Sequence, residues 1–406
     1  MRRTRYSLPL LALPLLFTLP LNAETLSGEI GRTGLLATQA RLTALPSLTD
    51  EERFTLGGVQ FLRALEISFQ DRWREGLTDN TGMVPFLRLP IKDNPFPEPF
   101  KPDSITQIFQ KASAELDKAK ANLTGIPATS DFGATITLGD LWLDVNANGT
   151  READEALKAL LGRSFAYEYS AEDGSTDAPI TDYTIRFDVA DAAWLAAYAD
   201  MLNAFCNLVQ AYDPTEAITK VLAARTAMEK LGPLEQDWLL GGARVPDSLD
   251  IIAIVIATLN QSPGKGHMSA VQTHLLDMIA ENRTFWTRVA DEPDDTLEWL
   301  PNAAQHSVLG IDVPPDAGPK WLAVLDEFEA VVRGKKLMPF WRVGAPAGIN
   351  LAKIFADPPA FDLAGWIQGW AALPYLERGE LASPDAMDAF DQAAGGESML
   401  FALYFN

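Results

Sequence analysis

The chain has 406 residues, 47% of them apolar and 22% charged, so it is long enough to bury a substantial core. Its 55 acidic residues outweigh 33 basic ones, giving a formal charge of −22; nucleic acid and anionic lipid both need clustered Lys and Arg, so neither is an expected partner. Cys206 is the only cysteine, which excludes an intrachain disulfide.

The N-terminus has the order of a secretory signal peptide over residues 1–23. Arg2, Arg3 and Arg5 precede an apolar stretch from Leu8 to Leu21, and Ala23 stands where a signal peptidase cuts, before Glu24. Pro9, Pro14 and Pro20 interrupt that stretch, and it is short for a membrane span, so no stable anchor is expected after cleavage. With no cysteine at the cut, a lipoprotein anchor is not supported either. The mature protein is expected to start near Glu24 and to be periplasmic or secreted. Losing three arginines makes it more acidic still, and an acidic surface draws divalent cations toward carboxylates.

Helical spacing dominates the remainder of the chain. Leu56, Val59, Leu62, Leu65, Phe69 and Trp73 predict a helix from about 50 to 77. Six prolines between Val84 and Pro102 predict an extended strap. Ser104 is placed to cap a helix reaching about 123, with Ile105, Ile108, Phe109, Ala112, Leu116 and Ala119 on its stripe. Residues 164–187 read as a small β-hairpin or a long loop, and strand is expected only in short pieces near 135–145 and 165–187. A strong helix is expected over 190–211, its buried side marked by Trp194, Tyr198, Met201, Leu202, Phe205 and Leu208. Further helices are expected near 214–231, 247–259, 269–289 and 319–333, with Ser269 and Gln272 forming a capping box. Ile251–Leu259 reads as buried core. Beyond about 334 the composition shifts toward glycine, proline and tryptophan, with short helices near 361–372 and 384–393. No fixed-period repeat is present, which argues against a solenoid. The fold class expected is mainly α: a single compact helical domain over 24–406, open to a C-terminal subdomain from about 334, with a proline-rich strap and at most a small β-hairpin.

One segment spells out a chemistry. Residues 144–155 read Asp-Val-Asn-Ala-Asn-Gly-Thr-Arg-Glu-Ala-Asp-Glu and satisfy D-x-[DN]-x-[DN]-G-x5-E at every specified position. Alternate side chains supply oxygens for a hard cation, glycine permits the sharp turn, and the last glutamate closes the sphere with two oxygens. The segment resembles EF-hand and dockerin-type calcium loops over about a dozen residues. That resemblance implies Ca²⁺ held by Asp144, Asn146, Asn148 and Glu155, with the Thr150 carbonyl and, through water, Glu152. Two departures shape the expectation. Arg151 stands where paired EF-hands carry an apolar residue, and no second loop of this pattern exists, which favours a lone structural site over a signalling switch. Two direct carboxylates suggest weak binding, on the order of 10⁻⁵–10⁻³ M. An exit helix carrying Leu157, Leu160 and Leu161 is expected to begin in the loop's last residues. The stretch Trp366–Glu377, with the strap and the loop, also resembles exported bacterial proteins, a likeness that carries no activity with it.

Other constellations have bland readings. His274, Asp277 and Glu281 share a helical face near His267 and could hold a transition metal, but ordinary solvated or capping roles explain them. Asp291, Glu292, Asp294, Asp295 and Glu298 could supply an acid and a base, yet charge runs are usually solvated loops. Trp366 and Trp370, spaced i,i+4, read as core, and Cys206 as a buried inert thiol. Two functions are compatible with these residues. The first is a non-catalytic exported protein that binds or scaffolds a protein or small-molecule ligand, with calcium supporting its fold. The second is a periplasmic hydrolase using a carboxylate pair on an envelope or secreted substrate. A cavity lined by paired carboxylates would favour the second, an apolar groove the first.

Overall fold

In a computed structural model, residues 25–77, 91–157, 159, 183–232, 245–310 and 313–394 are described. The segment expected to be a signal peptide and the first part of the expected strap lie outside them. The fold is mainly α, with eleven α-helices among the described residues and two small antiparallel sheets.

Helix α1, Leu26–Thr43, was not expected from the sequence. Gly34 interrupts it at φ +80°, where an added Cβ would meet Trp142 at 2.9 Å, so its apolar pattern changes phase midway. Helix α2, Asp50–Arg74, begins with a full capping box: the Glu52 amide donates to Thr49 Oγ1 (3.1 Å) and the Thr49 amide to Glu52 Oε2 (2.9 Å). The described strap then runs without regular structure to α3, Ser104–Thr124. Ser104 does not cap α3. Its hydroxyl donates instead to Glu75 Oε1 (2.8 Å), tying the strap's end to the end of α2.

Strand β1, Ala134–Thr137, pairs with β2, Thr184–Phe187, with Ala134 opposite Phe187 and Thr137 opposite Thr184. Strand thus falls in or beside both short pieces where it is expected, but over the described residues β2 pairs with β1 across the calcium-type loop rather than within a hairpin of 164–187. Helices α4, Val189–Ala211, and α7, Lys265–Asp291, form the most extensive pairing in the molecule, and α3 packs on α4 from the other side. Helices α5, Thr215–Glu229, and α6, Val245–Leu259, pack on each other. Helix α8, Ala317–Val332, joins α7 around Ile279, Phe285, Trp321 and Phe390. The C-terminal part adds a sheet in the order β3 (Met338–Pro339), β4 (Ala347–Ile349), β5 (Leu376–Arg378), with short helices α9 (Leu351–Ala356), α10 (Leu363–Gln368) and α11 (Asp385–Ala393). This three-stranded sheet exceeds the small hairpin expected.

Several expectations of burial and capping are corrected. On α4 the most buried face carries small and polar residues, Ala193, Ala196, Ala197, Asp200, Asn203 and Asn207, while Phe205 and Leu208 are exposed. Two neighbouring helices sit close to α4, and close approach selects alanine over large side chains. Ile252, Val255 and Ile256 of α6 are exposed rather than core. Trp366 packs against Phe340 and Tyr375, but Trp370 is half exposed and donates from its indole to Asp362 Oδ2 (2.8 Å). Ser269 lies inside α7, which starts four residues earlier, so the expected capping box does not form; Gln272 donates to the Val332 carbonyl instead.

Candidate functional site

The loop 144–155 sits on α2. The Asp144 amide donates to Glu66 Oε1 (2.7 Å), and Gln70 Nε2 donates to the Asp144 carbonyl (2.8 Å). The Leu143 amide donates to the Glu155 carbonyl and the Leu157 amide to the Leu141 carbonyl, both at 2.9 Å, so Trp142 and Ala156 bridge antiparallel beneath it. This closure differs from the expected exit helix. Glu155 ends a 3-10 turn, Ala153–Glu155, and Ala156 is extended before Leu157 turns helical; most of the expected helix lies outside the described residues.

Within the loop the side-chain oxygens turn inward on the backbone. Asp144 Oδ1 accepts from the Asn148 amide (3.0 Å) and Oδ2 from the Gly149 amide (2.8 Å). Asn146 Oδ1 also accepts from Asn148 N (3.1 Å), and Asn148 Oδ1 from Thr150 N (2.7 Å). Gly149 has φ +70°, the left-handed conformation that the motif's glycine position requires. Glu155, 1% exposed, accepts from the Val145 (3.0 Å) and Glu152 (3.2 Å) amides. Burial raises its pKa above the ordinary glutamate value, only partly offset by these amides and by Lys92.

Lys92, from the strap, was not singled out in the sequence. Its ammonium contacts Glu152 Oε2 and lies 3.4 Å from Glu155 Oε1. Burial works to lower the Lys92 pKa, but the bond to Glu152 and the charges of Glu155, Glu152 and Asp154 outweigh it and hold it above the usual lysine value. The same bond, with the Asn146 and Asn148 side-chain amides, holds Glu152 below the usual glutamate value. Of the six residues expected to serve a metal, the fold thus gathers Asp144, Asn146 and Asn148 around one turn and seats Glu155 beneath it. Thr150 is exposed, and Glu152 turns toward Lys92. The donors are all oxygen, the set a hard cation takes, and they fit calcium in kind. A lone lysine in a proline-rich strap gives no sequence signal of its own.

The histidine cluster is a polar network around buried Asp200, with Asp277 at its exposed edge. His274 Nδ1 lies 2.7 Å from Asp200 Oδ1, and Lys120 Nζ bridges Asp200 (2.9 Å) and Asp277 (2.6 Å). His267 Nδ1 faces Asn207 Oδ1 (3.0 Å), so these residues are neither simply solvated nor caps. Among the described residues no three His, Cys, Asp or Glu converge as a metal site. Cys206 is buried, and burial pushes its thiol up to about 12.

The acidic run is not a solvated loop throughout. Burial and the Asp188 charge push Glu292 up to about 8, and burial with nearby Asp294 and Asp188 pushes Glu298 up to about 7. Asp191, in the capping box at the start of α4, is buried beside Asp188, and desolvation drives it well above the usual range. Asp295 stays outside this group, held low by His306 at 2.8 Å. The Asp188–Asp191 spacing before an apolar helix is a capping signature that could have been read from the sequence.

Two cavities flank these elements. One, of about 250 Å³, lies between α1, α2, β1–β2 and α4; it is apolar apart from Thr55, Asp191 and Tyr198. Phe54, Phe187, Trp299, Trp194 and Tyr198 form one wall, with successive ring centroids 5.4, 6.1, 5.5 and 4.8 Å apart. The other, of about 570 Å³, is lined by Trp286, Asn302 and several prolines with Glu292 as its carboxyl. Each therefore presents one carboxyl rather than a facing pair. No protein-family model, curated protein or solved structure matches the chain.

Proposed function

We propose that this is an exported, periplasmic, calcium-stabilised helical protein that binds or scaffolds rather than catalyses. The observation that carries this reading is the loop itself: Asp144, Asn146 and Asn148 arranged around the Gly149 turn, with Glu155 beneath them. Asp144, Asn146, Asn148, the Thr150 carbonyl and Glu155 would hold the ion, and Glu152 would reach it through water. By bringing α2, through Glu66 and Gln70, and the Trp142–Ala156 bridge onto one charge centre, calcium would support the fold. A hydrolase reading gains less support, because each described cavity presents a single carboxyl.

Binding to the native state stabilises it by RT ln(1 + [Ca²⁺]/Kd), about 2.7 kcal/mol at a hundredfold excess over Kd. The melting temperature should rise with millimolar calcium and much less with magnesium, which demands a tighter octahedral shell. Glu155→Gln keeps the size but removes the charge, and should abolish most of the rise. Asp291→Asn, in the other acidic run, should leave it intact. An unchanged calcium response in Glu155→Gln would sink the assignment.

A further inference from the structure

We propose that the cavity between α1, α2, β1–β2 and α4 binds one small, uncharged, apolar molecule the size of one or two rings. The inference rests on the binding role proposed above and names its ligand class. The space, of about 250 Å³, is partly open to the surface and lined almost wholly by apolar side chains, the character of a small-molecule pocket.

Gly58 lies in the interior of α2 and lines the cavity, and a Cβ there would meet only Leu195 Cδ2, at 3.8 Å. Packing does not demand a glycine at this position. Its neighbour Gly57 is the contrast: a Cβ at Gly57 would collide with Leu123 at 2.7 Å, so close approach of α3 explains it. A helix-interior glycine carries a stability penalty relative to alanine. At Gly58 the result of that penalty is open space in the cavity.

The lining sets the ligand's chemistry. The lining is apolar but for Thr55, Asp191 and Tyr198, and Asp191 Oδ2 already accepts from the Asp188 amide (3.0 Å), so a charged group inside would lose most of its hydration with little in return. The wall from Phe54 to Tyr198 offers ring faces and edges, which suit a flat aromatic or alicyclic molecule. An apolar cavity of about 150 Å³ is enough for benzene, so this one admits a larger ring system.

Isothermal titration of the protein with naphthalene and with indole, in calcium and separately in EDTA, tests this, with dodecanoate as the chain-shaped comparison. Saturable binding of one naphthalene or indole per chain is expected. Gly58→Leu projects a side chain into the cavity; it should weaken binding at least tenfold while raising the melting temperature of the free protein. Leu195→Phe fills the same space from α4 and carries the test if Gly58→Leu fails to fold. The proposal is overturned if the wild type takes up neither ring compound, if dodecanoate binds in preference, or if a folded filling variant binds as well as wild type. A normal calcium response without ring binding removes this inference alone. Ring binding without a calcium response removes the calcium assignment alone.

Discussion

Lys92 holds two of the loop's carboxylates at once, and its ammonium stands where it would compete with a divalent ion for Glu152 and Glu155. The pair with Glu152 is screened by solvent and contributes little by itself. Lys92→Gln should therefore tighten calcium binding severalfold, read by titration calorimetry, whereas Lys92→Arg should leave it near wild type. An unchanged affinity in Lys92→Gln would mean that the ammonium does not share the ion's place. The buried carboxyls set a pH dependence of their own. Glu298 at about 7 and Glu292 at about 8 both lie above the ordinary glutamate value of 4.5. A carboxyl raised in the folded state binds more protons folded than unfolded over that interval. Its stabilisation is therefore full below pH 4.5 and is lost as pH rises through about 7 to 8. Because Glu292 and its neighbours titrate together, the loss should be one broad transition. Melting temperature should fall between pH 5.5 and 8.5, and the double variant Glu292→Gln, Glu298→Gln should flatten that slope. An unchanged or steeper fall in the double variant would contradict the assignment.

At the scale of elements, the boundary of a helix and the face it buries have different origins. Spacing and caps are local, and the helices over 50–74, 104–124, 189–211 and 317–332 lie close to where periodicity puts them. Faces are set by neighbours. On α4 the large apolar residues are not the deepest, because α3 approaches at Ala196 and α7 at Ala193 and Ala197, and neither leaves room for bulk. The same crowding makes Gly57 necessary. Gly57→Ala should cost about 1–3 kcal/mol through overpacking against Leu123, in spite of its better helix propensity, as measured by urea unfolding. Ser104 and Ser269 show the limit of capping signatures. Each fits the residue pattern, but Ser104 is claimed by Glu75 and Ser269 is overtaken by a helix that begins at Lys265. The pairing of β1 with β2 across the loop was equally hidden, since antiparallel partners need not be adjacent in sequence.

For the whole molecule, no described helix is long and apolar enough to cross a membrane. The signal-peptide reading predicts that exported material begins near Glu24, which N-terminal sequencing checks; an intact Met1 chain in washed membranes would reject it. The sequence by itself determined the mainly α character, most helix limits and the oxygen-donor pattern from Asp144 to Glu155, because each depends on residues within a few turns of one another. Tertiary structure alone decided that Lys92 reaches that loop from the strap and that Glu66 and Gln70 anchor it. It also decided that His274 is spent on Asp200, that burial lifts Glu292 and Glu298, and that Gly58 faces an apolar pocket walled by rings from four separate segments. Those outcomes turn on distance and desolvation between residues far apart in the chain, and neither quantity is written in local spacing.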